Sequence, residues 1–314
     1  MPKAVETDFS HLNKAKADFQ SIYVQPDPRD YFALLGSLHY MIPDVAHPIF
    51  EQIIAHVSAR LRRTVTVLDV GCSYGVNAAL LKYAIGVDAL RQRYACAGLA
   101  TCSSARLTAH DRHFFASWPL RSNVRIVGLD VSEPATNYGV SVGLLDDAIV
   151  ADLETGELSA GDARKVRQAD LIISTGCVGY VGERTFESLI KLFPSETAPW
   201  VASFVLRMFP YGKIEDMLAN HALATEKLTG ATFVQRRFQD TAEAEEALAN
   251  IRALGLDPTG KEGDGLYHAE FFLSRPQSEV SREPLGEIVS VASGAGRLAG
   301  LTIPSLSERR DVAA

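Results

Sequence analysis

The stretch over residues 64–81, TVTVLDVGCSYGVNAALL, constrains the fold of this chain more than any other. Val65, Val67 and Leu68 make an apolar, β-branched run of the length of a buried strand. Asp69 follows, then Gly71-Cys72-Ser73-Tyr74-Gly75, then Ala78, Ala79 and Leu81 at helical spacing. Strand, glycine turn and helix form a unit in which backbone can come close to a ligand. Gly71 and Gly75 supply conformations that other residues resist, and the first turn of the helix offers unpaired N–H groups.

A glycine-rich turn is shared by several α/β folds, so its detail matters. No Lys-Ser/Thr pair follows the glycines, which removes the P-loop reading, and the G-x-G-x-x-G spacing of dinucleotide-binding folds is absent. At 314 residues the chain can bury a large core. It is 47% apolar, yet no run approaches the roughly 20 apolar residues that cross a bilayer, and residues 1–19 lack the apolar core of a signal peptide. The expectation is a cytoplasmic protein with no membrane partner. Cys72, Cys96, Cys102 and Cys177 contain no C-x-x-C pair, against a zinc site or a disulfide framework. A net charge of −7 disfavours nucleic acid, whose phosphates need a basic face. A small-molecule substrate is the expected partner, with a homodimer as the assembly to test.

Residues 1–21 are polar. In the next segment Pro26 and Pro28 impose an extended entry, and Asp27 or Asp30 is placed to cap a helix beginning near Tyr31. Tyr31, Phe32, Leu35, Leu38, His39 and Tyr40 crowd this segment, and Ile49, Phe50, Ile53, Ile54 and Val57 predict a second helix before the first strand. Residues 124–130, VRIVGLD, read as a strand ending in an acid. So do 148–153, AIVADL, with Asp152 near the end. Residues 171–174 and 200–209 read as strands four and five, 232–238 and 267–274 as the last two. Helices are expected over 185–193, 214–224 and 241–254, and residues 277–314 read as a flexible tail.

The order Asp69-x-Gly71-x-x-x-Gly75, with an acid ending the second strand at Asp130, resembles the first two motifs of class I S-adenosylmethionine (SAM)-dependent methyltransferases. The resemblance covers residues 64–210 and implies a Rossmann-like α/β fold: a seven-stranded, mostly parallel sheet with an antiparallel last strand and a helical N-terminal cap. It implies a cap over 1–60, a SAM-binding domain over 61–276 with an insertion at 86–122, and the tail. It also implies S-adenosyl-L-methionine as cofactor. Asp69 would sit near its amino group, and Gly71, Cys72, Ser73 and Gly75 would pass beneath the sulfonium end. Asp130 and Val131 would lie at the ribose, because a carboxylate accepts from two adjacent hydroxyls. Asp152 and Leu153 would lie at the adenine, and Ser174 would end the strand beside the methyl-transfer site.

The expected activity is methyl transfer to a small-molecule acceptor, mainly by positioning and exclusion of water. A hydroxyl or carbon acceptor often needs a base, and the loop over 174–182 offers only Ser174, Thr175 and Tyr180. Catalytic candidates are therefore Tyr180 with His39 from the cap and His110, or its neighbour His113, from the insertion. Thiol, amine or sulfide acceptors need no strong base. His110, Asp111 and His113 also invite a metal reading, but no third histidine stands near, and none is expected. Two alternatives keep the fold. In one, SAM is itself cyclised to azetidine-2-carboxylate with release of methylthioadenosine, with Asn137, Tyr180 and Ser203 as polar contacts. In the other, the chain is a non-catalytic SAM-binding subunit.

Overall fold

The computed structural model of the chain describes residues 19–121 and 124–291. Three helices come first: α1 (Gln20–Tyr23), α2 (Arg29–Ser37) and α3 (Ile42–Leu61). Strand β1 (Val65–Val70) leads through the glycine turn into α4 (Val76–Lys82). The next segment is α5 (Val87–Tyr94), α6 (Ala97–Ala100) and α7 (Ser104–Ala116). Then come β2 (Val124–Asp130), α8 (Glu133–Ser141), β3 (Asp147–Val150), α9 (Ala160–Val166), β4 (Leu171–Thr175) and α10 (Glu183–Ile190). The chain continues with β5 (Trp200–Leu206), α11 (Gly212–Asn220), β6 (Leu223–Lys227), β7 (Phe233–Arg237), α12 (Thr241–Ala253) and β8 (Leu266–Pro276). Two single turns follow, α13 (Gln277–Val280) and α14 (Leu285–Ile288).

The strands form one sheet in the order β3-β2-β1-β4-β5-β8-β6, with β7 also on β8. The first five are parallel, and β8 runs antiparallel to β5, β6 and β7. Every residue of β1, β4 and β5 is buried, as expected of parallel strands covered by helices on both faces. After β1 the chain moves outward to β2 and β3, then returns to place β4 on the other side of β1. That reversal leaves a crevice at the carboxyl ends of β1 and β4, where doubly wound sheets bind ligands. This is the expected Rossmann-like α/β fold with an antiparallel strand near the end.

The sheet has eight strands rather than seven. The expected helix over 214–224 stops at Asn220, and β6 begins three residues later. β6 pairs with one half of β8 and β7 with the other, so the two lie end to end along one edge, interrupted at 228–232. The length of β8, eleven residues, is what allows two short partners. Residues 277–291 also depart from expectation: they are packed, not loose. Leu285, Ile288 and Val289 are buried in the core, the Leu285 amide donates to Glu226 Oε1 at 2.8 Å, and the Trp200 indole donates to Glu279 at 2.7 Å. The rest of the expected tail, 292–314, lies outside the described residues, as do 1–18 of the cap and 122 of the insertion. No helix of the described residues is long and apolar enough to cross a membrane.

α3 packs on β1, β4 and β7 and serves as one of the sheet's covering helices; Ile42, Ile53 and Val57 are fully buried there. The chain before it, with Pro43 of its first turn, overhangs the crevice. The overhang is braced by α5–α7. Arg29, paired with Asp27, donates to the carbonyls of Leu99, Ala100 and Cys102 at 2.9–3.1 Å, and Phe32 stacks on Tyr94 with centroids 4.5 Å apart.

Candidate functional site

A cleft of about 680 Å³ opens at the carboxyl ends of the parallel strands, well inside the roughly 300–1,000 Å³ typical of small-molecule sites. Its floor is the turn after β1. Gly71 (φ 72°), Ser73 (φ 49°) and Gly75 (φ 83°) are all left-handed, and the Gly71 amide donates to the Leu129 carbonyl at 2.8 Å. At Gly71 the constraint is steric as well: a Cβ there would stand 2.7 Å from Cys177 Cβ.

Asp130 closes β2 beside this floor. Its Oδ2 accepts the Ser73 amide at 2.8 Å and its Oδ1 the Ser132 amide at 2.9 Å, while the carboxylate still lines the cleft. Burial pushes its carboxyl above the usual range, against these two stabilising N–H groups. Val131 and Ser132 continue that wall, and Ala151, Asp152 and Leu153 follow from the end of β3. Asp152 is exposed and accepts the Glu154 amide at 3.0 Å and the Thr155 hydroxyl at 2.6 Å. Thr175, Gly176, Cys177 and Tyr180 form the wall beyond β4.

The roof is aromatic. Phe19, Tyr23, Tyr31 and Tyr40 line the cleft, and the Tyr31 ring meets those of Tyr23, Tyr40 and Tyr74 edge-on at 5.8, 6.3 and 5.8 Å. Burial raises the hydroxyls of Tyr23, Tyr31 and Tyr40, which keeps them neutral. The floor holds this roof in place. The Tyr74 hydroxyl, projecting from the glycine turn, lies 2.8 Å from the Ile22 carbonyl and 2.9 Å from that of Gln25. The Ser132 hydroxyl donates to the Tyr23 carbonyl. β7 secures the far end, where the Met41 amide donates to the Gln235 carbonyl and the Arg237 amide to that of Leu38.

Asp69 lies directly behind the floor and is fully buried. Asn77 donates to Asp69 Oδ1 at 3.1 Å and to Thr175 Oγ1 at 3.1 Å, joining the acid of β1 to the end of β4. Burial pushes the Asp69 carboxyl up to about 7, opposed by the Asn77 bond. Because the folded value lies above that of the unfolded chain, the unfolded state gives up its proton first as pH rises. This group's contribution to stability therefore falls between about pH 4 and 7 and is level above that. Asp69→Asn keeps the oxygen that accepts from Asn77 and has no charge to bury. The variant is expected to melt at a higher temperature than the wild type at about pH 8, with the gap closing by about pH 4. Equal melting temperatures across that range would show that Asp69 is not a buried acid of this kind. The two thiols of the cleft are not poised as nucleophiles, since burial pushes Cys177 up to about 12 and Cys72 upward as well.

Among the residues expected at a cofactor, the cleft gathers Gly71, Cys72, Ser73, Asp130, Val131, Asp152 and Leu153. Asp69 and Gly75 support the floor from behind; Gly75 precedes α4 and packs near Leu144. Ser174 is not at the cleft. Successive strand residues face opposite ways, so Thr175 meets the cleft while Ser174 is buried and bonds Ser203 Oγ at 3.0 Å.

Of the catalytic candidates, Tyr180 lies at the rim, half exposed. His39 does not line the cleft. It ends α2 in a left-handed conformation (φ 53°), with its amide bonded to Gly36 and that of Tyr40 to Leu35, the paired bonds of a Schellman cap. Burial and the nearby Arg237 and Arg91 lower its pKa. His110 and His113 are exposed one turn apart on α7, whose inward Asp111 is paired with Arg93 and accepts from the Tyr138 hydroxyl at 2.6 Å. Asp111 and the two histidines therefore do not converge on a metal. Asn137 is exposed on α8, and Ser203 faces Ser174.

Sequence reasoning missed Asn77, Thr175 as distinct from Ser174, and Tyr23. Asn77 was the findable one: a lone amide in an otherwise apolar first helical turn, eight positions after the buried acid. Tyr23 enters only because Tyr74 and Ser132 tie its backbone over the cleft.

No protein-family model and no curated protein matches this chain. Among solved structures it is similar to the plantazolicin methyltransferase BpumL in complex with SAH, at 12% identity over 86% of this chain and 98% of that one, with a TM-score of 0.39. It is also similar to magnesium protoporphyrin IX methyltransferase from Synechocystis PCC 6803 with bound SAM, at 12% identity over 85% and 90%, with a TM-score of 0.33. A TehB-like SAM-dependent methyltransferase from Corynebacterium glutamicum matches at 14% identity over 69% and 85%, with a TM-score of 0.32. The fold stands on the strand order and the crevice it creates.

Proposed function

We propose that this chain binds SAM in the cleft and transfers its methyl group to a small-molecule acceptor. The observation that carries the reading is the order of groups along one wall: a left-handed glycine turn after β1, an acid at the end of β2, and an acid with a buried leucine after β3. Each answers one part of a nucleoside sulfonium. The free lone pairs of Asp130 suit two ribose hydroxyls, and Leu153 with Val131 offers apolar surface to a purine. The Ser73 hydroxyl is buried without a partner among the described residues, in a residue of the glycine turn that lines the cleft, and could serve as a donor to the amino-acid end. When bound, SAM supplies a methyl group already activated as a sulfonium. The protein's part is then to hold the acceptor in line and keep water out, and the tyrosine roof, tied down at both ends, suits both tasks.

Pure protein incubated with SAM alone, with products read by mass spectrometry, tests the reading against its alternatives. Intact SAM, with S-adenosylhomocysteine formed only when a metabolite extract is added, is the expected result. Methylthioadenosine with a matching four-carbon amino acid would make SAM itself the substrate. SAM binding by calorimetry with no turnover in any extract would leave a binding subunit.

A further inference from the structure

Resting on the SAM reading above, we infer that the acceptor is an apolar amine, taken in with its nitrogen beneath the tyrosine roof and its apolar body toward the mouth. The charge around the cleft points this way. Among the described residues that line it there is no lysine, arginine or histidine, while Asp130 and Asp152 line it and Asp69 stands behind the floor. Arg236, on the strand that anchors the roof, is already paired: its two terminal nitrogens bond Glu243 at 2.9 and 2.6 Å, and its guanidinium carbon lies 5.1 Å from the ring centroid of Phe19 and 4.8 Å from that of Tyr267. A carboxylate or phosphate on the acceptor would be desolvated with no lysine, arginine or histidine of the cleft lining to pair with, leaving the sulfonium as its counter-charge. An amine meets the opposite surroundings. Aromatic faces attract its protonated form, and Asn77 presents an acceptor to its N–H groups. The Asn77 NH2 is held by Asp69 and Thr175, and no described residue donates to its Oδ1.

The mouth fixes the rest of the molecule. Of the exposed residues that line it, Val24 (56% exposed) and the Tyr180 ring (52%) offer apolar surface to an alkyl or aryl body, beside Gln20 and Asp152, while Val131 is taken by the purine. In the transfer, the amine first loses its extra proton to solvent, a loss favoured by the nearby sulfonium charge. Its lone pair then forms the new N–CH3 bond as the S–CH3 bond breaks. The electron pair stays on sulfur, giving neutral S-adenosylhomocysteine, and the second N–H proton leaves to solvent. No oxidant or external base is consumed.

Phenethylamine, 2-phenylethanol and 3-phenylpropionate share a body and differ in the head, so they isolate this property. Calorimetry first measures S-adenosylhomocysteine alone; absence of binding would overturn the SAM reading and this inference with it. With the protein loaded, phenethylamine is expected to bind at least about tenfold more tightly than 3-phenylpropionate, with the alcohol between. With SAM in place of its product, mass spectrometry is expected to find N-methylphenethylamine. Tyr40→Phe should keep the preference and Tyr40→Leu should lose it, because the ring face and not the hydroxyl attracts the cation. Binding of S-adenosylhomocysteine together with a carboxylate as tight as the amine, or with no binding of the amine, overturns the inference and leaves the SAM reading standing.

Discussion

Replacing Asp130 with alanine is expected to weaken SAM and S-adenosylhomocysteine binding about a hundredfold, the largest loss of affinity from any single side chain of the cleft. Asp130 has two tasks that a truncation removes together. Each carboxylate oxygen takes one backbone N–H, from Ser73 or Ser132, and keeps a lone pair for a ribose hydroxyl. A hydrogen bond to a charged group contributes roughly 1.5–3 kcal/mol, so two together, at the lower end of that range, account for about two powers of ten in affinity. The glycine turn and the Ser132 turn also lose their common acceptor, and through Tyr74 and Ser132 that loosening reaches the roof. Asp130→Asn makes the argument sharper. It keeps the size and one acceptor oxygen, but turns an NH2 against one of the two backbone donors, so it should lose most of the affinity while remaining folded. Calorimetry on both variants, with melting curves to establish folding, is the measurement. Unchanged affinity in Asp130→Ala would remove the acid of β2 from the site and with it the main support for a nucleoside ligand.

The difference between what could and could not be read from the sequence follows from the range of the interactions involved. β1, its glycine turn and Asp130 are local patterns. A buried parallel strand must be apolar along its whole length, a left-handed turn selects glycine, and an acid at a strand end has few structural reasons to be there. The same logic misplaced Ser174, because the end of β4 offers two adjacent hydroxyls and only the pleat decides which faces the cleft. His39 looked like a base among aromatics, yet its backbone, in a helix cap, accounts for its position. The roof was visible only as a density of tyrosines. That Tyr23, Tyr31 and Tyr40 face the cleft while Phe32 turns to Tyr94 depends on long-range bonds from Arg29, Tyr74 and Ser132 that no spacing encodes. The division of one edge strand into β6 and β7, and the packing of Leu285 and Ile288, likewise depend on partners far away in the chain.

The largest effect on stability is expected from Arg207→Met. Arg207 leaves the end of β5 and enters the loop between α12 and β8, where it pairs with Glu262, donates to the Asp257 carbonyl at 3.1 Å and stands 3.8 Å from Glu270. Both members of the pair are buried, with side chains 5% and 2% exposed. Methionine fills much of the arginine's volume but leaves the Glu262 carboxylate inside the protein without its cation. Burial already pushes the Glu262 carboxyl above its usual range with Arg207 present. Breaking such a pair from one side costs roughly 3–5 kcal/mol, whereas replacing both partners is often close to neutral. Chemical denaturation of Arg207→Met at neutral pH should show that loss, and adding Glu262→Gln should recover most of it. The deficit should also shrink on acidification, because a protonated Glu262 no longer needs a counter-charge. None of these residues lines the cleft, so the folded single variant should bind S-adenosylhomocysteine as the wild type does. A loss below about 1 kcal/mol would place this pair with exposed salt bridges. The closure of the loop over β8 would then rest on its backbone bonds and apolar contacts alone.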